Sequence, residues 1–151
     1  MDSKKNVTET HYTLGALLRR PYDALAAEVY QGIEDSGHPA IRPAHGRVFR
    51  HILPSGSRAV DLARAAGMTK QSMAALVEDL DKAGYVALVP DPSDGRAKLV
   101  QLTAEGEKVQ AEIIRRSAEV ESRWASELGE EQWQSMREAL RLLFDHLEPT
   151  G

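Results

Sequence analysis

Between residues 58 and 103 the hydrophobic pattern of the chain changes period. Val60, Leu62, Ala63 and Ala66 recur at helical spacing over about two and a half turns, with the Ser57 hydroxyl placed as a cap and Gly67 as a stop. Thr69 stands at a second N-cap position. Met73, Leu76, Val77 and Leu80 then mark one buried stripe on a helix that ends at Gly84. Beyond Gly84 the spacing becomes strand-like: residues 86–89 and 98–102 are short β-prone runs separated by residues 90–96, a loop of turn-forming Pro, Asp, Ser and Gly. Helix, glycine turn, helix and hairpin in that order predict a helix-turn-helix with a β-hairpin wing.

On either side of this unit the pattern is helical. Leu14, Leu17, Leu18, Leu25, Val29 and Ile33 predict a helix within residues 11–37. Pro21 interrupts it, and predicts either a kink or a helix that starts there, because proline lacks an N–H and crowds the preceding turn. A second helix is predicted over residues 43–53, burying Val48, Phe49 and Ile52. Thr103 is placed to cap a long helix over residues 104–127 anchored by Val109, Ile113, Val120 and Trp124. Gly129 separates it from a last helix in which Trp133, Met136, Leu140, Leu143 or Phe144, and Leu147 recur every three or four residues. Residues 1–10 are polar and predict a flexible N-terminal arm.

The predicted fold class is therefore mainly α with a small β-hairpin wing. Residues 42–103 form the winged helix-turn-helix module, and residues 11–41 and 104–151 form a helical dimerisation region. One winged helix cannot bury the apolar faces of three flanking helices. A two-fold homodimer that interlocks those helices is the expectation, against an intramolecular bundle as the alternative.

Composition narrows the chemistry. The chain of 151 residues suffices for one well-cored domain and contains no cysteine, which excludes disulfides, thiolate metal ligands, cysteine nucleophiles and thiol-based redox sensing. There is no run of about 20 apolar residues and no hydrophobic stretch after the N-terminal charges, so neither a membrane span nor a secretory signal is expected, and the expected location is cytoplasmic. The net charge of −4 is unevenly distributed. Lys and Arg number 4 against 6 Asp and Glu in residues 1–41, 9 against 6 in residues 42–103, and 6 against 11 in residues 104–151. A basic middle between acidic ends suits a chain that turns one face towards a polyanion.

Enzymatic chemistry finds no support. No phosphate-cradling glycine motif is present, and Glu105, Glu107, Glu112, Glu119 and Glu121 read as the solvated face of a long helix. No cofactor is expected. His38, His45 and His51 are close in sequence, but His45 and His51 are six apart, about 240° around a helix, so no metal site is expected either.

Three segments carry a family resemblance: Gly84-Tyr85-Val86, Asp91-Pro92-Ser93-Asp94-Gly95-Arg96, and Leu102-Thr103 followed by Gly106. Together with the flanking helices they resemble the MarR family of bacterial winged helix-turn-helix regulators. The resemblance implies a homodimer on double-stranded DNA, most often a repressor. It also implies a small aromatic, lipophilic or anionic effector bound where the dimerisation helices meet the module.

In a helix-turn-helix the N-terminal end of the second helix reaches the base edges. Here that end presents Thr69, Lys70, Gln71 and Ser72, then Ala74 and Ala75. Gln71 suits adenine, Lys70 guanine or phosphate, and Ser72 either. Many relatives carry a longer polar or Arg side chain where Ala75 stands, and an alanine reaches only a thymine methyl. Arg96 at the wing tip fits a narrow A·T-rich minor groove, with Asp94 structuring the loop and Gly95 standing where the family commonly has arginine. Lys98 and Arg58 are candidate phosphate ligands, the latter at a helix N-terminus. Two-fold symmetry predicts an inverted-repeat operator with half-site centres about 10 bp, or a multiple, apart. Candidate effector walls are Tyr22, Tyr30, His45, Arg47 and His51. The alternative function is a winged-helix protein-interaction or ligand-binding module without DNA binding, motivated by Ala75, Gly95 and the negative net charge.

Overall fold

In the computed structural model, which describes residues 5–148, the Asn6 side chain caps a one-turn helix, α1 (Val7–Thr10). Part of the expected arm is thus helical, because Asn6 accepts the Glu9 N–H while the Glu9 carboxylate accepts the Asn6 N–H. The rest of that arm, residues 1–4, lies outside the described residues.

The Thr13 hydroxyl then accepts the Ala16 N–H and opens α2 (Leu14–Asp35). Pro21 sits inside this helix. It is not the start, because the Thr13 cap lies two turns earlier. A 3-10 turn (Pro43–His45) leads into α3 (Gly46–His51), which buries Val48 and Phe49, and Ile52 just after it is buried too.

Next come the two short helices, α4 (Ala59–Ala65) and α5 (Lys70–Lys82). Ser57 does not cap α4. Its hydroxyl accepts the Leu53 N–H at 2.9 Å, and its backbone exchanges two hydrogen bonds with Val100, so residue 57 adds a one-residue bridge beside the wing hairpin.

The wing is an antiparallel pair, β1 (Val86–Asp91) and β2 (Asp94–Leu102), in register from Val86 opposite Leu102 to Pro90 opposite Lys98. Its strands run further towards the tip than the sequence suggests, and the register shifts after Pro90 so that Asp91 faces Asp94. The cause is the Asp91 side chain. Oδ1 accepts both the N–H and the hydroxyl of Ser93 at 2.8 Å, closing the tip at once.

Thr103 caps α6 (Ala104–Leu128), which packs along α2, and α7 (Glu130–His146) follows Gly129. Where α6 leaves the wing, a Cβ on Gly106 would lie 2.0 Å from the carbonyl oxygen of Tyr85. Only glycine permits this approach of helix to strand.

One core joins Val29 and Ile33 of α2, Val48 and Phe49 of α3, the α5 stripe, Val86, Val100 and Val109. The N-terminal half of α2 stands outside it, with Leu14 at 61% and Leu17 at 51% exposure. On α7 only Trp133 is buried, while Phe144 and Leu147 are about two-thirds exposed. Among the described residues no helix is long and apolar enough to cross a membrane.

Candidate nucleic-acid interface

Helix α5 owes its orientation to Met73, Leu76, Val77 and Leu80, all buried in the core. At 100° per residue the opposite, outward ridge is Gln71, Ala75, Glu78 and Lys82, all exposed. The Thr69 hydroxyl accepts the Ser72 N–H at 3.1 Å and donates to the Ser72 hydroxyl at 2.9 Å, so both side chains serve the cap. Lys70 and Gln71 lie exposed beside them.

The wing supplies a second exposed edge. Asp94 Oδ1 accepts the Arg96 N–H at 3.0 Å, which turns the backbone around Gly95 and leaves the Arg96 guanidinium exposed at the tip. Lys98 is exposed on the same strand.

Arg58, expected as a phosphate ligand at a helix start, has a partner within the chain. Its Nε and Nη2 both reach Asp91 Oδ2 at 2.7 Å. The guanidinium is therefore engaged within the chain and joins α4 to the wing. The Ser93 hydrogen bonds and the Arg58 guanidinium draw the Asp91 carboxyl down from its ordinary 3.8 to about 2. In the sequence Asp91 has no role beyond its place in the segment 91–96, although Asp-x-Ser suits a side-chain-closed turn.

A helix end and a hairpin tip thus project exposed polar and cationic groups. Residues 41–97 match the family model described as MarR family. The transcriptional regulator HosA of Escherichia coli O111:H- is 38% identical over 78 residues, 51% of this chain and 58% of HosA. The transcriptional activatory protein BadR of Rhodopseudomonas palustris is 34% identical over 64 residues, 42% of this chain and 37% of BadR. The chain therefore spans about half the length of the curated relatives it matches. Residues 41–97 are a MarR-family module.

That family consists of winged helix-turn-helix transcriptional regulators, not of enzymes. Among solved structures, the transcriptional repressor CouR bound to a 23-mer DNA duplex covers 93% of this chain and 99% of its own, at 21% identity and a TM-score of 0.67. CouR from Rhodococcus jostii RHA1 bound to p-coumaroyl-CoA gives the same TM-score at 24% identity, covering 91% of this chain and 94% of its own. At these identities the likeness shows the fold.

Away from the wing, a cavity of about 400 Å³ opens between α2, α3 and α6. Of the candidate effector residues, Tyr22 and Tyr30 line it; His45, Arg47 and His51 do not. The helical phase of α3 decides this, because it turns Phe49 and Arg50 towards the cavity. Arg50 stacks over the Tyr22 ring, 5.1 Å from its centroid, and donates to the Tyr22 hydroxyl. Burial pushes the Tyr30 phenol up to about 12. Gln110 and Ile113 of α6 complete the wall.

His45 has a structural position instead. It is 1% exposed; its Nδ1 accepts the Arg42 N–H at 2.9 Å, so in the neutral ring Nε2 carries the proton and points at Asp79 Oδ2, 3.4 Å away. Arg42 Nη2 donates to the same oxygen at 2.9 Å. Burial lowers the His45 pKa, and burial together with the neighbouring Arg50 charge lowers that of His51. His38 is hydrogen-bonded to the Tyr85 hydroxyl at 2.9 Å. Among the described residues no three His, Asp or Glu side chains converge as metal ligands.

Proposed function

We propose that the chain acts as a homodimeric, sequence-specific regulator that binds an inverted-repeat operator, most often to repress by covering a promoter. The observation that carries this reading is the pairing of an exposed α5 start, Thr69 to Ser72, with an exposed Arg96 at the wing tip. A helix end suits a major groove and a guanidinium on a thin hairpin suits the adjacent minor groove. Lys70, Gln71, Ser72 and Ala75 would face base edges, Thr69 would hold the helix start, and Lys98 would meet phosphate. Arg58 contributes by holding the wing.

The second copy is supported by two apolar stripes that end in solvent: Leu14, Leu17 and Leu18 on α2, and Leu140, Phe144 and Leu147 on α7. Residues 11–41 and 104–151 would then be the dimerisation region around a module at residues 42–103. The cavity supports an effector, with apolar and aromatic walls for a lipophilic or aromatic body and Arg50 for an anionic group. Such a ligand would act by binding differently to the DNA-competent and incompetent spacings of the two modules.

Selection of bound sequences from random duplex DNA tests the proposal. An enriched inverted repeat is the expected result. A second reading, an interaction module without DNA binding, is favoured by Ala75 and the net charge of −4. No enrichment, together with partner binding that is insensitive to salt, would establish it instead, because phosphate contacts fall steeply with salt.

A further inference from the structure

The outward ridge of α5 holds a carboxylate that phosphate binding does not explain. Gln71, Ala75, Glu78 and Lys82 follow one another at i, i+4, i+7 and i+11, opposite the buried stripe. An acidic group on the helix face turned to a polyanion is repelled by it unless the carboxylate itself meets a hydrogen-bond donor. Lys82 Nζ lies 2.8 Å from Glu78 Oε1, one turn further on, and offsets its charge. That contact leaves Oε2 and the remaining lone pairs of Oε1 to accept other donors.

We propose that Glu78 is a specificity-determining residue of the operator contact and accepts a hydrogen bond from the N4 amino group of a cytosine in the major groove. This rests on the DNA-binding reading above. Cytosine N4 is the donor that a carboxylate side chain matches on a major-groove edge. The alanine at position 75, one turn before Glu78, is what makes the reach available. A long side chain there would hold the helix off the bases, whereas a methyl group lets α5 lie deeper and carries Glu78 inwards with it. Gln71 and Glu78 are seven residues apart, about 10 Å along the helix, or about three base pairs. The cytosine therefore belongs about three steps from the base pair that Gln71 faces, in each half-site.

The test is the selection from random duplex DNA at one low salt concentration, run with wild type, Glu78→Ala, Glu78→Gln and, as a charge control away from the ridge, Asp81→Asn. Affinities are then measured on the selected operator and on its three variants at each half-site position. The expected result is a cytosine preferred by about 5- to 150-fold in the wild type and in Asp81→Asn. In Glu78→Ala that one position flattens while the others hold, and in Glu78→Gln the preference moves towards adenine. An inverted repeat selected equally by wild type and Glu78→Ala, with every position unchanged, overturns the assignment of Glu78 and leaves the DNA-binding reading standing. Failure of the wild type to enrich any sequence overturns both.

Discussion

Arg58 and Asp91, 33 residues apart, meet through two contacts of 2.7 Å to the same carboxylate oxygen, and the other oxygen of Asp91 closes the wing turn through Ser93. One side chain thus sets both the shape of the wing tip and its attachment to α4. The folded chain keeps this carboxyl ionised down to about pH 2, while the unfolded chain protonates it near 3.8. Its contribution to stability is therefore complete above about pH 4 and lost as pH falls towards 2. Thermal midpoints of wild type and Asp91→Asn are expected to differ most above pH 4 and to converge below it. A gap that stays constant across this range would show that the charge of Asp91 contributes nothing.

His45 depends on proton binding in the same direction, at higher pH. Its folded-state pKa lies below the ordinary 6.5, chiefly through burial, so between those two values the unfolded chain binds a proton that the folded chain refuses. The stabilisation is full above pH 6.5 and falls as pH drops below it. Protonation at Nδ1 would also break the bond from Arg42 N–H. The wild type should lose stability relative to His45→Gln as pH falls below 6.5, read from urea midpoints. His51, shifted in the same direction, is present in both proteins and cancels in the comparison.

Gly106→Ala tests the junction of α6 with the wing. The added Cβ would lie 2.0 Å from a backbone oxygen, which cannot swing aside as a side-chain tip does. Overpacking of this kind costs about 1–3 kcal/mol. The measurement is chemical denaturation, and an unchanged midpoint would mean that α6 slides away from Tyr85 at no cost.

Arg96→Ala should weaken binding to the selected operator by about 1–3 kcal/mol, with the largest loss on A·T-rich flanks. The slope of log affinity against log salt should fall by about one contact as well. Identical titrations at physiological salt would remove the wing from the interface.

Phe144→Glu addresses the second copy. Phe144 is 68% exposed on the same stripe as the buried Trp133. A charge placed there should convert a dimer into a monomer in sedimentation equilibrium without loss of helix content. A wild type that sediments as a monomer at every concentration would refute the dimer directly.

The local sequence determined the helices and their caps. Thr69 and Thr103 are legible as N-caps because each acts on an N–H three residues away, in Ser72 and Gly106. The stripe of Met73, Leu76, Val77 and Leu80 is legible because burial repeats at the helical period. The family signature at residues 84–106 is legible as a pattern of residue types, although its ends join across the wing, where Thr103 donates to the Gly84 carbonyl and Gly106 packs against Tyr85. What the sequence could not specify are partners brought together by packing. Arg58 reads as a free cation at a helix start until the wing folds back to set Asp91 against it. His45 reads as a cavity wall until the turn before α3 seals it against Asp79, 34 residues on. Ser57 reads as a cap, yet pairs with Val100. Side-chain chemistry and period are properties of a few adjacent residues, whereas the choice of a distant partner depends on which surfaces the core brings within hydrogen-bond reach, and only the tertiary structure decides that.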